Sequence, residues 1–301
     1  MALPSLHALL ETNLPIVVCA RPWARSLLSA YPIAGFVPMT GKWQTDRKSV
    51  AAFRRQHQHQ KAVGLLLPDS LSSALVFRLA GLPCAGYRDD GRSLLLRWPI
   101  SKPVPKPHAV ASWYFLTQTA LKQWNLRTGS QEPPASLGLQ LKASARNEAQ
   151  ASLQQAGLSK DTDFVLIAPT ATGLHKGKVK VWPHFDALAQ GLQKQGLTVV
   201  MCPPANEREE AKRNAPTALC LAPLTLDAFV ALAQMAKVVV CNDSGVSHLA
   251  AAGNARQITL FGVTEQTHTG PWSAQAHCLG KMGQWPELDK AKQKTILLAG
   301  S

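Results

Sequence analysis

No apolar run in this chain approaches the roughly 20 residues that a membrane-spanning helix requires. Runs such as 63–68 and 238–241 are far shorter, which excludes a helix of that kind. The amino end also lacks the pattern of a secretory leader. Residues 1–10 pass directly into Glu11 and Asn13, with no charged segment ahead of an apolar one and no A-x-A-like site. The chain therefore reads as cytoplasmic. Cysteine pairs at C-x-x-C spacing are missing: Cys19, Cys84, Cys202, Cys220, Cys241 and Cys278 are scattered, without histidines at zinc spacing. They read as reduced thiols in apolar strands. Acidic residues are scarce, 18 Asp+Glu against 32 Lys+Arg, a formal net charge of +14. Such a surface favours acidic partners: nucleic acid, an anionic membrane surface or a phosphorylated substrate. Dense basic blocks, a recognised nucleic-acid motif and a clustered aromatic platform are all wanting, so a nucleic-acid partner is not expected.

What is present is a globular composition, 46% hydrophobic and 17% charged over 301 residues, enough for one large or two ordinary domains. It excludes disorder, collagen and coiled coil. Short apolar segments at 15–20, 36–39, 62–67 and 84–87 predict strands. They alternate with helices predicted at 23–30, 48–60, with His57 and His59 on its exposed face, and 72–80. A Pro-rich loop at 101–108 and a helix at 109–124 follow. A boundary is expected between 126 and 160, giving domains 1–158 and 159–301. The second repeats the alternation: strands at 164–168, 198–202, 219–221, 238–241 and 257–261, helices at 183–195, 205–214, 225–235 and 247–252. Alternation of this kind predicts α/β domains with parallel sheets covered by helices, two in tandem without sequence repeat.

The most informative tract is VVVCNDSGVSHLAAAGNARQITLFGVTEQTHTGP, residues 238–271. A strand delivers Asn242, Asp243, Ser244 and Gly245 at its carboxyl end, where open parallel sheets bind ligands, and a helix starts within the loop. Ser244 or Asp243 would cap that helix, Gly245 would let backbone approach a ligand oxygen, and the helix start favours phosphate. His248 falls on the first turn, positioned to face the same anion. Alone, Asp-Ser-Gly reads first as a helix cap and no more. A second strand end follows, Leu260-Phe261-Gly262-Val263-Thr264, then Thr269-Gly270-Pro271, which puts two loops on one rim. His268 and His277 read as solvent or loop histidines.

In this tract the chain resembles the ADP-heptose heptosyltransferases of bacterial lipopolysaccharide synthesis, glycosyltransferase family nine. Residues 243–252 are similar to their D-[ST]-G-x-x-H-x-x-A-A signature and 261–271 to F-G-x-T-x-x-x-x-x-G-P. Lys180-Val181-Trp182-Pro183 resembles their K-x-W-P element. Leu67-Pro68-Asp69-Ser70 and Gly86-Tyr87-Arg88, with Gly91-Arg92, resemble weaker amino-terminal tracts. The resemblance implies a GT-B architecture, two Rossmann-like domains facing a cleft, the second holding the nucleotide sugar. It implies an inverting transfer of L-glycero-D-manno-heptose from ADP-heptose to the lipopolysaccharide inner core, with ADP leaving. Under it, Asp243, Ser244, Gly245 and His248 would line the ADP, and Lys180 would neutralise the leaving diphosphate. Lys176 and Lys178 stand beside Lys180, but only Lys180 has the Trp-Pro neighbour. Thr170 and Thr172 would supply phosphate-side hydroxyls. Glu207 would accept from the ribose or be an ordinary first-turn glutamate. Asp69, Ser70, Arg88 and Arg92, with Lys102 and Lys106, would meet the anionic acceptor or form a solvated basic surface.

No cofactor and no required metal are implied, and membrane contact would be peripheral, at the inner face of the inner membrane. The same fold with another nucleotide sugar, or a silent binding homologue, are the alternatives. The family's first strand and Gly-Asp pair, which carry the general base, have no counterpart in the given residues: residues 1–6 resemble the helix that follows them, so Met1 reads as internal to a longer protein, with a degenerate member as the alternative. Asp69 is the best remaining carboxylate, though its position does not match.

Overall fold

The computed structural model describes residues 1–57, 61–159, 161–172, 174–175 and 177–300; His59 and Lys176 lie outside them. Among the described residues no helix is long and apolar enough to cross a membrane. The chain divides into two compact units, Met1–Pro134 and Ala135–Ser301.

In the first unit the order is α1 (Leu3–Leu10), β1 (Val17–Ala20), α2 (Ala24–Leu27), β2 (Gly35–Pro38), α3 (Trp43–Gln56), β3 (Gly64–Leu66), α4 (Leu71–Leu79), β4 (Cys84–Tyr87), β5 (Trp98–Ile100) and α5 (Ala109–Gln123). The strands are parallel, as the alternation predicts, but they form two sheets, β1-β2 and β3-β4-β5. Helices α3 and α4 join them. Val37, Val50, Val76 and Ala80 make one core with Cys19 and Phe77, and Phe77 also packs on Leu66, Ala74, Cys84 and Leu96. Helix α3 starts well before the predicted position 48. The reason is Asp46: its buried carboxylate accepts hydrogen bonds from Thr40 N at 2.7 Å, Thr40 Oγ1 at 2.8 Å and Gly41 N at 2.9 Å, and so organises the entry turn. His57 is not on an exposed face as expected. It is half-buried, its ring stacked on Phe53 at 4.3 Å.

The second unit comprises α6 (Ala143–Gln155), β6 (Phe164–Ala168), a hairpin of β7 (Leu174–His175) and β8 (Lys178–Val179), α7 (Phe185–Gln193), β9 (Thr198–Met201), α8 (Arg208–Asn214), β10 (Leu219–Cys220), α9 (Leu226–Met235), β11 (Val238–Asn242), α10 (Gly245–Ala252), β12 (Gln257–Phe261), β13 (Ala276–Gly280) and α11 (Leu288–Gly300). Sequence reading places the boundary at 158/159; the structure places α6 in the second unit. Its Ala149 and Leu153 pack with Phe229, Leu232 and Ala233 of α9. The main sheet is parallel throughout, in the order β10-β9-β6-β11-β12-β13. Chain order therefore reverses between β6 and β11, the switch point of a doubly wound sheet.

Strands β6, β11 and β12 are wholly buried, which is why they read as continuous apolar runs rather than alternating ones. Successive residues still serve opposite faces. Val238 and Val240 pack with Trp182, Phe185 and Ala291, whereas Val239 and Cys241 pack with Leu153 and Ala250. All six cysteines are free, and burial pushes the Cys241 thiol up to about 12.

Candidate functional site

The carboxyl ends of β6, β11 and β12 surround a cavity of about 620 Å³ in the second unit, lined by Thr172, Lys180, Asp243, Ser244, Gly245, His248, Thr264, Glu265, His268, Thr269 and Met282. Its organising residue is Asn242, the last of β11 and fully buried. The side-chain oxygen accepts from Trp182 N at 2.9 Å, and the amide nitrogen donates to the carbonyls of Ala168 and Thr170, each at 3.3 Å. One side chain thus ties the loop after β6 and the segment carrying Lys180 to the strand that carries Asp243. Trp182 completes the anchor. It is buried, donates from Nε1 to Pro286 O at 3.0 Å and meets Phe185 edge-on at 5.5 Å.

Asp243 and Thr264 stand in the loops that follow the adjacent parallel strands β11 and β12, and Thr264 Oγ1 donates to Asp243 Oδ2 at 2.6 Å. This bond holds the two loops on one rim, as the sequence leads one to expect. Ser244 caps α10, its Oγ accepting from Val246 N at 3.3 Å. The amino end of α10, with its partial positive charge, opens on the cavity beside His248 and Lys180. Gly245 is exposed, and a methyl group there would meet no protein atom within 4 Å. Gly262 is the opposite case: a methyl group would fall 2.0 Å from the Trp285 ring, so only glycine lets β12 end against that indole.

The structure brings together six residues named from sequence: Thr172, Lys180, Asp243, Ser244, Gly245 and His248. Thr170 and Glu207 lie outside the cavity lining and bond to each other, Thr170 Oγ1 donating to Glu207 Oε2 at 2.5 Å. His268, read from sequence as a solvent or loop histidine, lines the cavity, as do Glu265, Thr269 and Met282. The first three stand in the tract already singled out. Met282 had no sequence signal, because it arrives on the turn after β13.

An Asp-x-Asp spelling, Asp161-Thr162-Asp163, precedes the amino end of β6 and therefore lies at the opposite end of the sheet from the cavity. Asp163 pairs there with Lys237 at 3.2 Å. Among the described residues no group of three or more His, Cys, Asp and Glu side chains is arranged to hold a metal ion.

The acceptor candidates belong to the first unit, and one of them needs correction. Arg92 is fully buried and donates from its two terminal nitrogens to Tyr87 O and Pro68 O, each at 2.9 Å. Burial lowers its pKa, opposed by Asp69, Asp89 and Asp90. It is a strut between two loops and not an acceptor contact. Arg92→Ala should lower the stability of the first unit by about 3 kcal/mol, since the buried Tyr87 carbonyl and the Pro68 carbonyl lose a charged donor and the buried side chain leaves a cavity. ADP affinity should stay unchanged; a denaturant titration beside calorimetry checks both. Asp69 is exposed and bonds to Lys102 at 2.8 Å, and Lys102 reaches Asp89 at 2.7 Å. The Lys102 ammonium holds the Asp69 carboxyl below the usual carboxylate range, which makes it a poor proton acceptor. Ser70 caps α4 through Ser73 N at 3.3 Å, and Arg88 is exposed.

Residues 50–298 match the family model described as glycosyltransferase family 9 (heptosyltransferase). Lipopolysaccharide heptosyltransferase 2 of Escherichia coli (strain K12) is 30% identical over 304 residues, covering 91% of this chain and 82% of its own. Among solved structures, E. coli ADP-heptose lipopolysaccharide heptosyltransferase II matches with a TM-score of 0.74 at 25% identity, covering 99% of this chain and 94% of that one. E. coli heptosyltransferase WaaC, determined with ADP, matches with a TM-score of 0.70 at 21% identity, covering 99% and 93%. The fold is that of the GT-B heptosyltransferases.

Proposed function

Because the chain belongs to glycosyltransferase family 9, the heptosyltransferases, we propose that it transfers L-glycero-D-manno-heptose from ADP-heptose to the inner core of lipopolysaccharide, with inversion and loss of ADP. The observation that carries this reading is the cavity at the switch point, where Lys180, the amino end of α10, Ser244 and His248 converge. A nucleoside diphosphate needs cationic and N–H donors at a strand end, and the reaction adds to its charge. As the bond to the anomeric carbon breaks, negative charge builds on the β-phosphate. A cation fixed beforehand stabilises that charge without solvent reorganisation. Asn242 and Pro286 hold Trp182, and so the segment that carries Lys180. Thr172 and Thr264 add hydroxyls to the same wall.

These groups are the chain's own means of stabilising the leaving diphosphate, so the reaction is proposed to need no metal or other cofactor. The acceptor is read as an anionic glycolipid, met in part by Arg88 and the exposed Lys106 of the first unit.

The test is calorimetry with ADP. Lys180→Ala should weaken binding about 30-fold, the loss of one charge-assisted contact. Asp243→Ala should weaken it about tenfold, since it frees Thr264 and loosens the two loops. Unchanged affinity in both variants overturns the donor site. A chain that binds ADP but transfers another sugar in preference keeps the site and changes the donor.

A further inference from the structure

The cavity of the second unit has two walls of different chemistry. Thr172, Lys180, Ser244, Gly245 and His248 supply the cation, hydroxyls and N–H donors that suit a diphosphate. The opposite wall comes from the loop after β12 and the turn after β13, and it carries Glu265, His268, Thr269 and Met282. A carboxylate there works against a diphosphate in the same cavity, because like charges repel. Glu265 calls for a ligand group that donates.

This wall is braced. Gly283 N donates to Gly262 O at 2.8 Å and joins the turn to the end of β12, and Gly270 N donates to Gln266 O at 2.8 Å and closes the loop on itself. Thr267 Oγ1 donates to Glu265 Oε1 at 3.1 Å, which steadies the carboxylate. Asp243, the other acid of the cavity, already accepts from Thr264. Glu265 is exposed, and among the described residues no lysine, arginine or histidine forms an ion pair with it. An ionised carboxylate only accepts, so it can take a hydroxyl or an N–H from the ligand.

The order of the sheet decides which part of a nucleotide sugar arrives there. From β9 through β6 and β11 to β12 and β13, successive strand ends bring Glu207, Thr172, the loop of Asp243 to Gly245, Glu265 and Met282. A diphosphate held by Lys180 and the amino end of α10 has the nucleoside on one side and the sugar on the other. Glu207, the ribose candidate, follows β9 and lies beyond the cavity lining, which gives the nucleoside that side. The β12–β13 side offers hydroxyl, imidazole and carboxylate groups with one thioether, a surface for a polyol and not for a purine. We propose that Glu265 selects the sugar half of the donor, its carboxylate accepting hydrogen bonds from hydroxyls of the sugar that is transferred. The inference rests on the donor-site reading and names a residue that gives that site its sugar preference. A site built to bind a hydroxyl discriminates against a ligand without one, because its own polar group is then left unpaired.

The experiment is calorimetry on the full chain with ADP and with ADP-L-glycero-D-manno-heptose, in the absence of acceptor. Glu265→Ala should weaken ADP-heptose about 30-fold, the loss of charge-assisted hydrogen bonds, and leave ADP unchanged or about twofold tighter, since a like charge has gone. Glu265→Gln keeps an acceptor oxygen without the charge, so it should weaken ADP-heptose only about fivefold. Melting temperatures should match the parent. Lys180→Ala should weaken both ligands alike, which separates a fault in the donor site from one in the sugar contact. Equal losses for both ligands in Glu265→Ala, or an ADP-heptose affinity within about threefold of the parent, overturn this inference and leave the donor site standing. Failure of the parent chain to bind ADP overturns the two together.

Discussion

Trp182→Ala should lower the stability of the second unit by about 4 kcal/mol, the usual cost of emptying a large aromatic site in a closed core. For a unit of this size the melting temperature should fall by roughly 12 °C. The side chain is buried against Phe185 on the β6–β11 face of the sheet, and its indole N–H is satisfied by Pro286 O. Alanine leaves both a cavity and an unpaired carbonyl. The loss should reach function as well, because the Trp182 main chain is held by Asn242 and its side chain fixes the segment on which Lys180 enters the cavity. ADP affinity, measured well below the transition, should therefore fall too. Trp182→Phe should recover more than half of the lost stability and leave the Pro286 carbonyl unpaired. A melting temperature within about 2 °C of the parent for Trp182→Ala would sink this account of the anchor.

Lys180→Ala should lower kcat by about 100- to 1,000-fold, the range found when a preorganised donor to developing negative charge is removed. The ground-state diphosphate already carries charge, so ADP affinity falls as well. The larger loss should appear in kcat than in KM for ADP-heptose, because the leaving oxygen carries more charge in the transition state than in the bound sugar nucleotide. Lys180→Arg should restore part of the rate, since the cation returns with different reach and geometry. Lys180 is only partly buried and lies outside the hydrophobic clusters, so the melting temperature should hardly move. Steady-state kinetics with ADP-heptose and a lipopolysaccharide core acceptor decide it. A rate within about threefold of the parent would remove Lys180 from the leaving-group step.

Much of the second unit was legible because its strands are buried on both faces. β6, β11 and β12 read as unbroken apolar runs, and β6 and β12 have the bounds that the sequence predicts. The loop after β11 was legible for a related reason: a cap, a glycine and a histidine within one turn have few other uses at a strand end. Less legible were α6, β5, β13 and α11. Helix α6 is largely polar and buries little beyond Ala145, Ala149, Ser152 and Leu153, so a stretch that reads as linker becomes a helix only once α9 is there to receive it. The residues of β13 are only partly buried at a sheet edge, where periodicity is weak.

Arg92 shows how a residue type can mislead. An arginine beside a Gly-Tyr-Arg tract reads as an anion contact, and only its burial, with both terminal nitrogens already on Tyr87 and Pro68 carbonyls, shows that it is structural. His268 is the converse case: a loop histidine, as read, that also stands at the cavity wall. Nothing local distinguishes a loop histidine from one at a cavity wall until β12 is paired with β11 and the loop is carried there.

By itself the sequence determined the alternation of strand and helix, the parallel sheets, the family and the strand-end loop that carries Asp243, Ser244, Gly245 and His248. Those features are local, written in runs, caps and glycines within a few residues of one another. Tertiary structure alone decided that Asn242 would bind Trp182, that Thr264 would lock onto Asp243, and that Thr170 would bond to Glu207 outside the cavity. Each of these joins segments far apart in the chain, and such contacts depend on which elements pack together, which no short stretch of sequence contains.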